Sequence, residues 1–223
     1  TAAAGTAVAL AQQASPAPAY LRVIHASPDA PAVDIYVNNT LVLKNAPFRA
    51  FTAFGNVPAG KQNVKVTATG APNTVVFNGD LDFASGKYYT VAATKALASI
   101  EFKVFTADSM KPADGKAVVN VYHLSPGAPA VDVLAASAGN AKLVSALGFQ
   151  NKASLAVDPM TVSLNVTPAG NAGTVVKGLR DVKLEAGKSY SVFAVGLLDG
   201  RGTQAFDLLP IEDKVFADLW APK

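Results

Sequence analysis

The sequence predicts an all-β protein in which one domain of antiparallel strands occurs twice. Three observations lead to this prediction: apolar residues alternate with polar ones, turn residues recur at short intervals, and a twelve-residue phrase appears two times. Short strands between regularly spaced turns are typical of a sandwich or a barrel. No segment has the longer period of a convincing amphipathic helix.

The alternation is clearest in a few short segments. Val64 and Val66 alternate with Lys65 and Thr67. The same period of two occurs at 33–37, at 89–93 and at 162–167. Such alternation is typical of strands that have one face in a core and one face in water. Between them lie turn residues that end each strand, at Asn38-Asn39, Pro58-Ala59-Gly60, Gly70-Ala71-Pro72 and Ser85-Gly86.

The repeat is visible in the letters themselves. Residues 23–34 read VIHASPDAPAVD and residues 121–132 read VYHLSPGAPAVD, so nine of twelve positions are identical at an offset of 98. Later blocks also correspond, with SGKYYTVAA at 85–93 and AGKSYSVFA at 186–194. A unit of about 100 residues has the size of a domain rather than of a solenoid repeat.

We therefore predict a first β-domain at 20–105, a linker at 106–116 and a second β-domain at 117–210. The linker reads TADSMKPADGK and is polar, with Pro and Gly. A C-terminal tail follows at 211–223, and its segment IEDKVFADLW is expected to form a last strand or a short helix. Phe48, Phe51 and Phe54 recur every three residues, which suits either a core or an exposed contact surface.

Residues 1–19 are predicted to be a signal-peptide remnant followed by a Pro/Ala linker. The first twenty residues carry no charge, and Ala9-Leu10-Ala11 fits a cleavage site of the A-x-A type. This predicts export with removal of residues 1–11. The alternative is a retained apolar tail that docks on a neighbour. No apolar run of about 20 residues occurs, so we expect no transmembrane helix.

Composition excludes several classes of function. Hydrophobic residues make up 50% of the chain, which is enough for a packed core. The net charge is only +3 and the basic residues are scattered singly, which argues against a nucleic-acid surface. Without cysteine, disulfides, thiolate catalysis and cysteine-type zinc sites are excluded. The chain has two histidines, so it cannot form a site of three or four histidines by itself.

The phrase H-x-S-P-x-A-P-x-V-D resembles the opening of a bacterial domain-of-unknown-function family, number 4397, which often occurs in tandem. The resemblance covers roughly 20–105 and 117–210. It implies an immunoglobulin-like β-sandwich and an exported, often surface-anchored protein, and it implies no established reaction. The fold class expected is therefore two tandem immunoglobulin-like antiparallel β-sandwiches. Gly127 stands where the first copy has Asp29, so a carboxylate there is not common to both copies.

Two interpretations of the phrase remain open. In the structural one, Pro28 and Pro31 stiffen an extended link, and His25 bonds to a backbone group or to Asp34. In the functional one, a histidine and a carboxylate of each copy bind a transition metal. The candidate metal ligands are His25, Asp34, His123 and Asp132.

Catalytic residues are not expected, because the chain has no G-x-S-x-G elbow and no phosphate-binding glycine loop. The function predicted is that of an exported structural or interaction protein of a bacterial cell envelope, outer surface or periplasm. Its partners would be other envelope or surface-layer proteins, or a second copy of the chain. The alternative is a copper-binding redox protein of the superoxide dismutase type that uses His25 and His123 with nearby carboxylates.

Overall fold

A computed structural model describes residues 14–221, and over this range the protein is all-β. Seventeen strands and three short 3-10 turns account for its regular structure, with no α-helix among these residues. The predicted signal-peptide segment at 1–11 lies outside the described residues. None of the helical turns between residues 14 and 221 has the length and apolar character needed to cross a membrane.

The first repeat forms two sheets that pack face to face. Its strands are β1 (Ala19–His25), β2 (Val33–Val37), β3 (Thr40–Ala46), β4 (Phe54–Val57), β5 (Gly60–Ala68), β6 (Ala71–Phe83), β7 (Tyr88–Thr94) and β8 (Glu101–Ala107). One sheet has the order β4-β1-β7-β8 and the other has the order β3-β2-β5-β6. Alternate side chains of both sheets, such as Leu21 and Val66, fill the core between them.

The second repeat builds the same arrangement again. Its strands are β9 (Ala117–His123), β10 (Val131–Ala135), β11 (Ala141–Leu147), β12 (Lys152–Val157), β13 (Met160–Pro168), β14 (Lys177–Leu184), β15 (Ser189–Val195) and β16 (Asp207–Glu212). The sheet orders are β12-β9-β15-β16 and β11-β10-β13-β14. Each strand therefore has a counterpart eight strands earlier, and the repeat in sequence is a repeat in topology.

Most strand pairs are antiparallel, as predicted, but each repeat contains one parallel pair. β1 runs parallel to β7, and β9 runs parallel to β15. Between β1 and β7 the chain passes through the facing sheet, so no short hairpin forces the two strands into opposite directions. The expectation of purely antiparallel sheets was wrong at these pairs.

The C-terminal segment returns to the first repeat as a strand, not as a helix. Here β17 (Val215–Phe216) pairs in parallel with β4. Trp220 then enters the core of the first repeat and donates its indole N–H to the carbonyl oxygen of Leu21 at 2.9 Å. Gly55 makes room for it, because a Cβ there would lie 2.5 Å from the indole ring. The end of the chain thus covers the β4 edge of the first sheet pair.

The two repeats meet through the same face of corresponding sheets. Ile24 on β1 and Ala92 on β7 pack in one apolar cluster with Tyr122 on β9 and Phe193 on β15. Tyr122 is the counterpart of Ile24, and Phe193 is the counterpart of Ala92. The contact therefore resembles the isologous interface of a two-fold dimer, formed within one chain.

Polar contacts at the rim of this junction are reciprocal as well. Arg49 donates to the carboxylate of Asp207 at 3.1 Å, and Gln150 donates to the carboxylate of Glu101 at 3.4 Å. Glu101 and Asp207 are counterparts, since each pairs with the last residue of the neighbouring strand, β7 or β15. Each repeat thus extends an equivalent side chain to an equivalent acceptor on the other.

The three regularly spaced phenylalanines face this junction. Phe54 is fully buried. Phe51 lies with its ring centroid 6.3 Å from that of Phe193 in the second repeat. Phe48 is half-buried against the apolar cluster that the two repeats share. Phe51 is still 42% exposed, so the stretch contributes to the contact between the repeats and leaves part of one ring at the surface.

Arg22 lies at the centre of the junction and is only 1% exposed. Its guanidinium donates to the carboxylate of Asp213 at 2.5 Å. It also donates to the hydroxyls of Thr90 at 2.8 Å, Ser191 at 2.9 Å and Tyr122 at 3.0 Å. Thr90 belongs to the first repeat, whereas Tyr122, Ser191 and Asp213 come from the second repeat and the tail. One buried cation therefore binds both repeats.

Neighbouring side chains stabilise both charges of the ion pair. The guanidinium carbon lies 4.4 Å from the ring centroid of Phe54, within the range of a cation–π contact. Asp213 accepts further hydrogen bonds from the hydroxyls of Ser189 and Ser191, both at 2.7 Å. Buried charges are tolerated when paired and hydrogen-bonded in this way.

Replacing Asp213 by Ala is expected to lower the free energy of unfolding by about 3–5 kcal/mol, because it leaves the Arg22 cation buried without a counter-charge. Urea denaturation followed by circular dichroism measures the change. The double variant Arg22→Met/Asp213→Leu removes both charges and should cost less than Asp213→Ala alone. Lys87→Met, which breaks the exposed pair with Asp108, is the control and should leave the denaturation midpoint close to that of the wild type. Equal losses for Asp213→Ala and Lys87→Met would contradict this role of the junction.

Candidate functional site

The candidate metal ligands lie in the loop that joins the first two strands of each repeat and at the start of the second strand. His25 ends β1 and Asp34 lies in β2, with the two prolines between them. His123 and Asp132 occupy the same places on β9 and β10. All four side chains are buried.

Both ring nitrogens of His25 are hydrogen-bonded to the backbone of its own loop. The Ser27 N–H donates to Nδ1 at 3.3 Å, and Nε2 lies 3.0 Å from the carbonyl oxygen of Pro31. Since an amide can only donate, Nδ1 is an acceptor and Nε2 carries the proton. This neutral tautomer ties the two ends of the proline-rich loop together. Of the two partners expected for His25, a backbone group or Asp34, the structure has the backbone.

His123 makes the same two bonds. The Ser125 N–H donates to its Nδ1 at 3.4 Å, and its Nε2 donates to the Pro129 carbonyl oxygen at 2.9 Å. An aromatic ring closes each histidine from one side, with Phe48 at 6.3 Å and Phe149 at 6.0 Å between ring centroids in edge geometry. The arrangement is therefore built twice from corresponding residues.

Burial sets the charge of both imidazoles. Loss of hydration lowers the pKa of His25 and the pKa of His123 below the ordinary value of 6.5, although the backbone hydrogen bonds act in the opposite direction. Each ring is therefore neutral at pH 7, in agreement with the tautomer that its partners require.

The two aspartates hold a distorted neighbouring strand. Asp34 accepts the N–H of Asn45 at 2.8 Å, and Asp132 accepts the N–H of Ala146 at 2.8 Å. Asn45 and Ala146 have φ angles of 55° and 49°, in the left-handed region that costs a residue with a Cβ about 1 kcal/mol. The register between the strands shifts beside each aspartate. The carboxylate thus stabilises a β-bulge at the same place in both repeats.

The two aspartates differ in their further partners. The Lys142 ammonium at 2.8 Å and the amides of Ala146 and Gly170 lower its pKa to about 2. Asp34 instead accepts from the hydroxyl of Thr69 at 3.0 Å, in addition to Asn45. The carboxylates are therefore engaged by their own strands and loops.

These bonds bear directly on the metal hypothesis. A metal bound through His25 or His123 would have to replace a hydrogen bond that now holds the proline-rich loop. Between residues 14 and 221, no group of three or more His, Asp or Glu residues has the spacing to hold a metal ion. Metal binding by His25, Asp34, His123 and Asp132 stays a hypothesis for experiment.

Asp29, the acidic residue of the phrase that the second repeat lacks, has a local role. Its carboxylate accepts the N–H of Leu97 at 2.8 Å, at the start of a 3-10 turn. In the second repeat Gly127 takes its place with a φ of 75°, a conformation that suits glycine. The difference between Asp29 and Gly127 therefore reflects the different local backbone structure of the two repeats.

Sequence reasoning did not single out the residues that join the repeats. Arg22 interrupts an otherwise apolar strand, and its counterpart Asn120 is uncharged, so an inward-facing charge was visible in principle. The later blocks of the two repeats, such as 85–93 and 186–194, correspond at an offset of 101 residues. The same offset applied to Phe48 gives Phe149 as its counterpart. Nothing in the sequence pairs Arg22 with Asp213, which lies 191 residues away.

The geometry thus defines a class of protein: an all-β chain of two corresponding sheet pairs, with a histidine and an aspartate that fasten the same loop and bulge in each. The chain belongs to the family described as Domain of unknown function (DUF4397), whose model matches residues 19–134 and 119–219. The two overlapping matches confirm the tandem copies. No curated protein matches the chain.

Three solved structures show limited likeness to the chain. The C-terminal domain of AlgF from P. aeruginosa is 22% identical with a TM-score of 0.35, over 44% of this chain and 98% of that domain. A family CBM26 module of Amy13K from Eubacterium rectale, solved with maltoheptaose, is 12% identical with a TM-score of 0.26, over 90% and 99%. The TIE protein of Bacillus anthracis is 10% identical with a TM-score of 0.26, over 88% and 44%.

The buried histidines should make the protein sensitive to mild acid. Because folding lowers the pKa of His25 and His123, the unfolded chain takes up protons near pH 6.5 that the folded chain does not bind. We expect the free energy of unfolding to be constant from about pH 8 to 7 and to fall between about pH 6.5 and 5. Urea denaturation at several pH values measures this slope.

The double variant His25→Gln/His123→Gln is the matched comparison, since the chain has no other histidine. Glutamine can still donate to the Pro31 and Pro129 carbonyl oxygens, but it does not titrate. The variant should be less stable than the wild type at about pH 7.5 and should lose the slope between about pH 6.5 and 5. An unchanged slope in this variant would show that the histidines do not cause it.

Proposed function

We propose that this chain is an exported structural or interaction protein of a bacterial cell envelope or surface layer, built from two immunoglobulin-like domains at 20–105 and 117–210. The observation that carries the proposal is the use of the repeated phrase. Its histidines and its later aspartates, His25, Asp34, His123 and Asp132, bind backbone groups within their own repeat. What the two copies share is therefore a means of holding a fold.

The sheet geometry supports immunoglobulin-like domains. Each repeat has two four-stranded layers packed around one apolar core, and its first strand runs parallel to a later strand of the same layer. Sandwiches of this kind are common in cell-surface proteins, where they act as spacers and contact modules. The uncharged segment at 1–11 supports export, because it has the composition and the A-x-A ending of a signal peptide.

The junction supports a mechanical role for the pair of domains. A buried ion pair, a shared apolar cluster and the returning C-terminal strand join the two units. Domains joined in this way present their outer edges at a set distance and angle, which suits a component that contacts neighbours on both sides.

Export and envelope association can be tested in cells. An epitope inserted in the exposed turn at 171–173 leaves Trp220 in place. The tagged protein is expressed from its own chromosomal gene and followed by fractionation and by protease digestion of intact cells. We expect it in the envelope fraction, cross-linked to other envelope proteins. A variant without residues 1–11 is the control and should stay in the cytoplasm. Recovery of both forms as free cytoplasmic protein would refute the proposal.

The copper alternative makes a different prediction for the purified protein. A redox site on His25 and His123 should retain about one copper ion per site after loading and dialysis, and His25→Ala should reduce that content. On our proposal the wild type and His25→Ala retain the same background amount, because both ring nitrogens already serve the loop. Elemental analysis by mass spectrometry distinguishes the two. Stoichiometric copper in the wild type alone would favour the redox protein.

A further inference from the structure

The site that the Trp220 side chain occupies in the first repeat, called its seat below, has a counterpart in the second repeat. Strand register defines it: Gly55 pairs with Leu21 as Leu155 pairs with Val119, and Val57 pairs with Ala19 as Val157 pairs with Ala117. In the first repeat, the residues beside Trp220 on β1, β2, β3 and β4 are Leu21, Val37, Thr40, Val42, Gly55 and Val57. Their counterparts in the second repeat are Val119, Ala135, Ala141, Leu143, Leu155 and Val157.

All six of these counterparts line one apolar cavity of about 300 Å³. It lies between the two sheets of the second repeat and reaches the surface beside Met160, which is 43% exposed. Two substitutions shape it relative to the first repeat. Ala135 replaces Val37 and widens the cavity, whereas Leu155 replaces Gly55 and fills part of the space that the indole ring takes there.

Among residues 14–221, the strand beside this cavity, β12, also lacks the partner that β4 has. In the first repeat, the N–H groups of Phe54 and Asn56 donate to the carbonyl oxygens of Lys214 and Ala217 in the tail, at 2.9 and 3.4 Å. By the same register, Ser154 and Ala156 direct their N–H groups away from β9. In the part of the chain that the structure describes, β12 is the outermost strand of its sheet.

The burial of the two edges differs accordingly. Gly55 and Val57 on β4 are buried, whereas Leu155 and Val157 on β12 are only half-buried. The difference arises because the tail covers one edge and nothing between residues 14 and 221 covers the other. Exposed edge amides next to an apolar cavity are the two elements of β-strand addition, in which main-chain bonds supply affinity and a pocket supplies selectivity.

We propose that the second repeat binds an extended segment of another protein, which pairs in parallel with β12 and inserts an aliphatic side chain into the cavity. The binding mode is the one that this chain's own tail uses in the first repeat. This inference deepens the proposed interaction role and rests on it. It is tested on purified protein, whereas envelope location is tested in cells, so each can fail without the other.

The choice of occupant follows from the two seats. The chain's own tail already occupies the first repeat, where Gly55 admits the indole of Trp220. Leu155 takes part of the corresponding space in the second repeat, so a side chain smaller than Trp fits the remaining cavity. A segment with Leu at the position of Trp220 therefore matches the second seat better than a second copy's own tail does.

The test uses the full chain and a fluorescent nonapeptide that has the sequence of residues 213–221 with Trp220→Leu. Fluorescence anisotropy measures its affinity, and amide NMR shifts locate it on the labelled protein. We expect saturable binding with shifts at Ser154 and Ala156. A peptide with Asp at that position is the control and should bind at least about tenfold more weakly, since it cannot fill an apolar cavity.

Two protein variants separate the strand from the cavity. Ala156→Pro removes one outward N–H of the edge strand. Ala135→Leu enlarges a side chain that lines the cavity and so reduces the volume of the cavity. Each variant should weaken peptide binding at least about tenfold. Urea denaturation of each variant should still begin from a flat native baseline, which shows that the variant is folded. Ala172→Leu adds the same side chain at an exposed turn and should leave binding unchanged.

Several results would overturn the inference. Absence of binding by the wild type would do so, as would shifts at residues 54–57, which would show displacement of the chain's own tail. Full binding by Ala156→Pro together with loss in Ala135→Leu would show that the cavity takes a side chain without strand addition. Concentration-dependent dimers that are lost in Ala135→Leu would assign the seat to a second copy instead.

Discussion

The burial of Arg22 is the constraint on which the arrangement of this protein depends. An unpaired cation in an apolar interior would cost far more than the few kcal/mol by which domains are stable. Arg22 avoids this cost only when the carboxylate of Asp213 lies against it. The hydroxyls of Thr90, Tyr122 and Ser191 accept hydrogen bonds from its other N–H groups. The repeats must therefore dock, and the end of the chain must return, before either charge is compensated.

Around this centre the molecule is nearly symmetric, and its departures from symmetry are informative. The apolar junction and the contacts of Arg49 and Gln150 are reciprocal, as in a two-fold dimer. Arg22 faces no second arginine, because its counterpart is Asn120. Two like charges at this close approach would repel, so a strictly symmetric pair could not bury its central cation.

The repeated phrase illustrates why residue type alone does not identify chemistry. Histidine and aspartate are the side chains of metal sites and proton relays, yet they are also the ones best able to satisfy isolated backbone groups. His25 bonds at both nitrogens to its own loop, and Asp34 fastens a bulge whose Asn45 has a positive φ angle. The prolines remove N–H donors from the loop and hold it extended. The hydrogen bonds of the imidazole then connect the two ends of the loop.

The sequence by itself determined the all-β class, the tandem copies and the family, because alternation and an internal repeat are local patterns that need no knowledge of distant contacts. It also placed His25 and Asp34 in one structural motif. Only the tertiary structure decided that Arg22 meets Asp213, that Trp220 enters the first repeat and that nothing between residues 14 and 221 fills the corresponding site in the second repeat. These contacts join residues far apart in the chain, and no periodicity encodes which distant side chain fills a given cavity or neutralises a given charge.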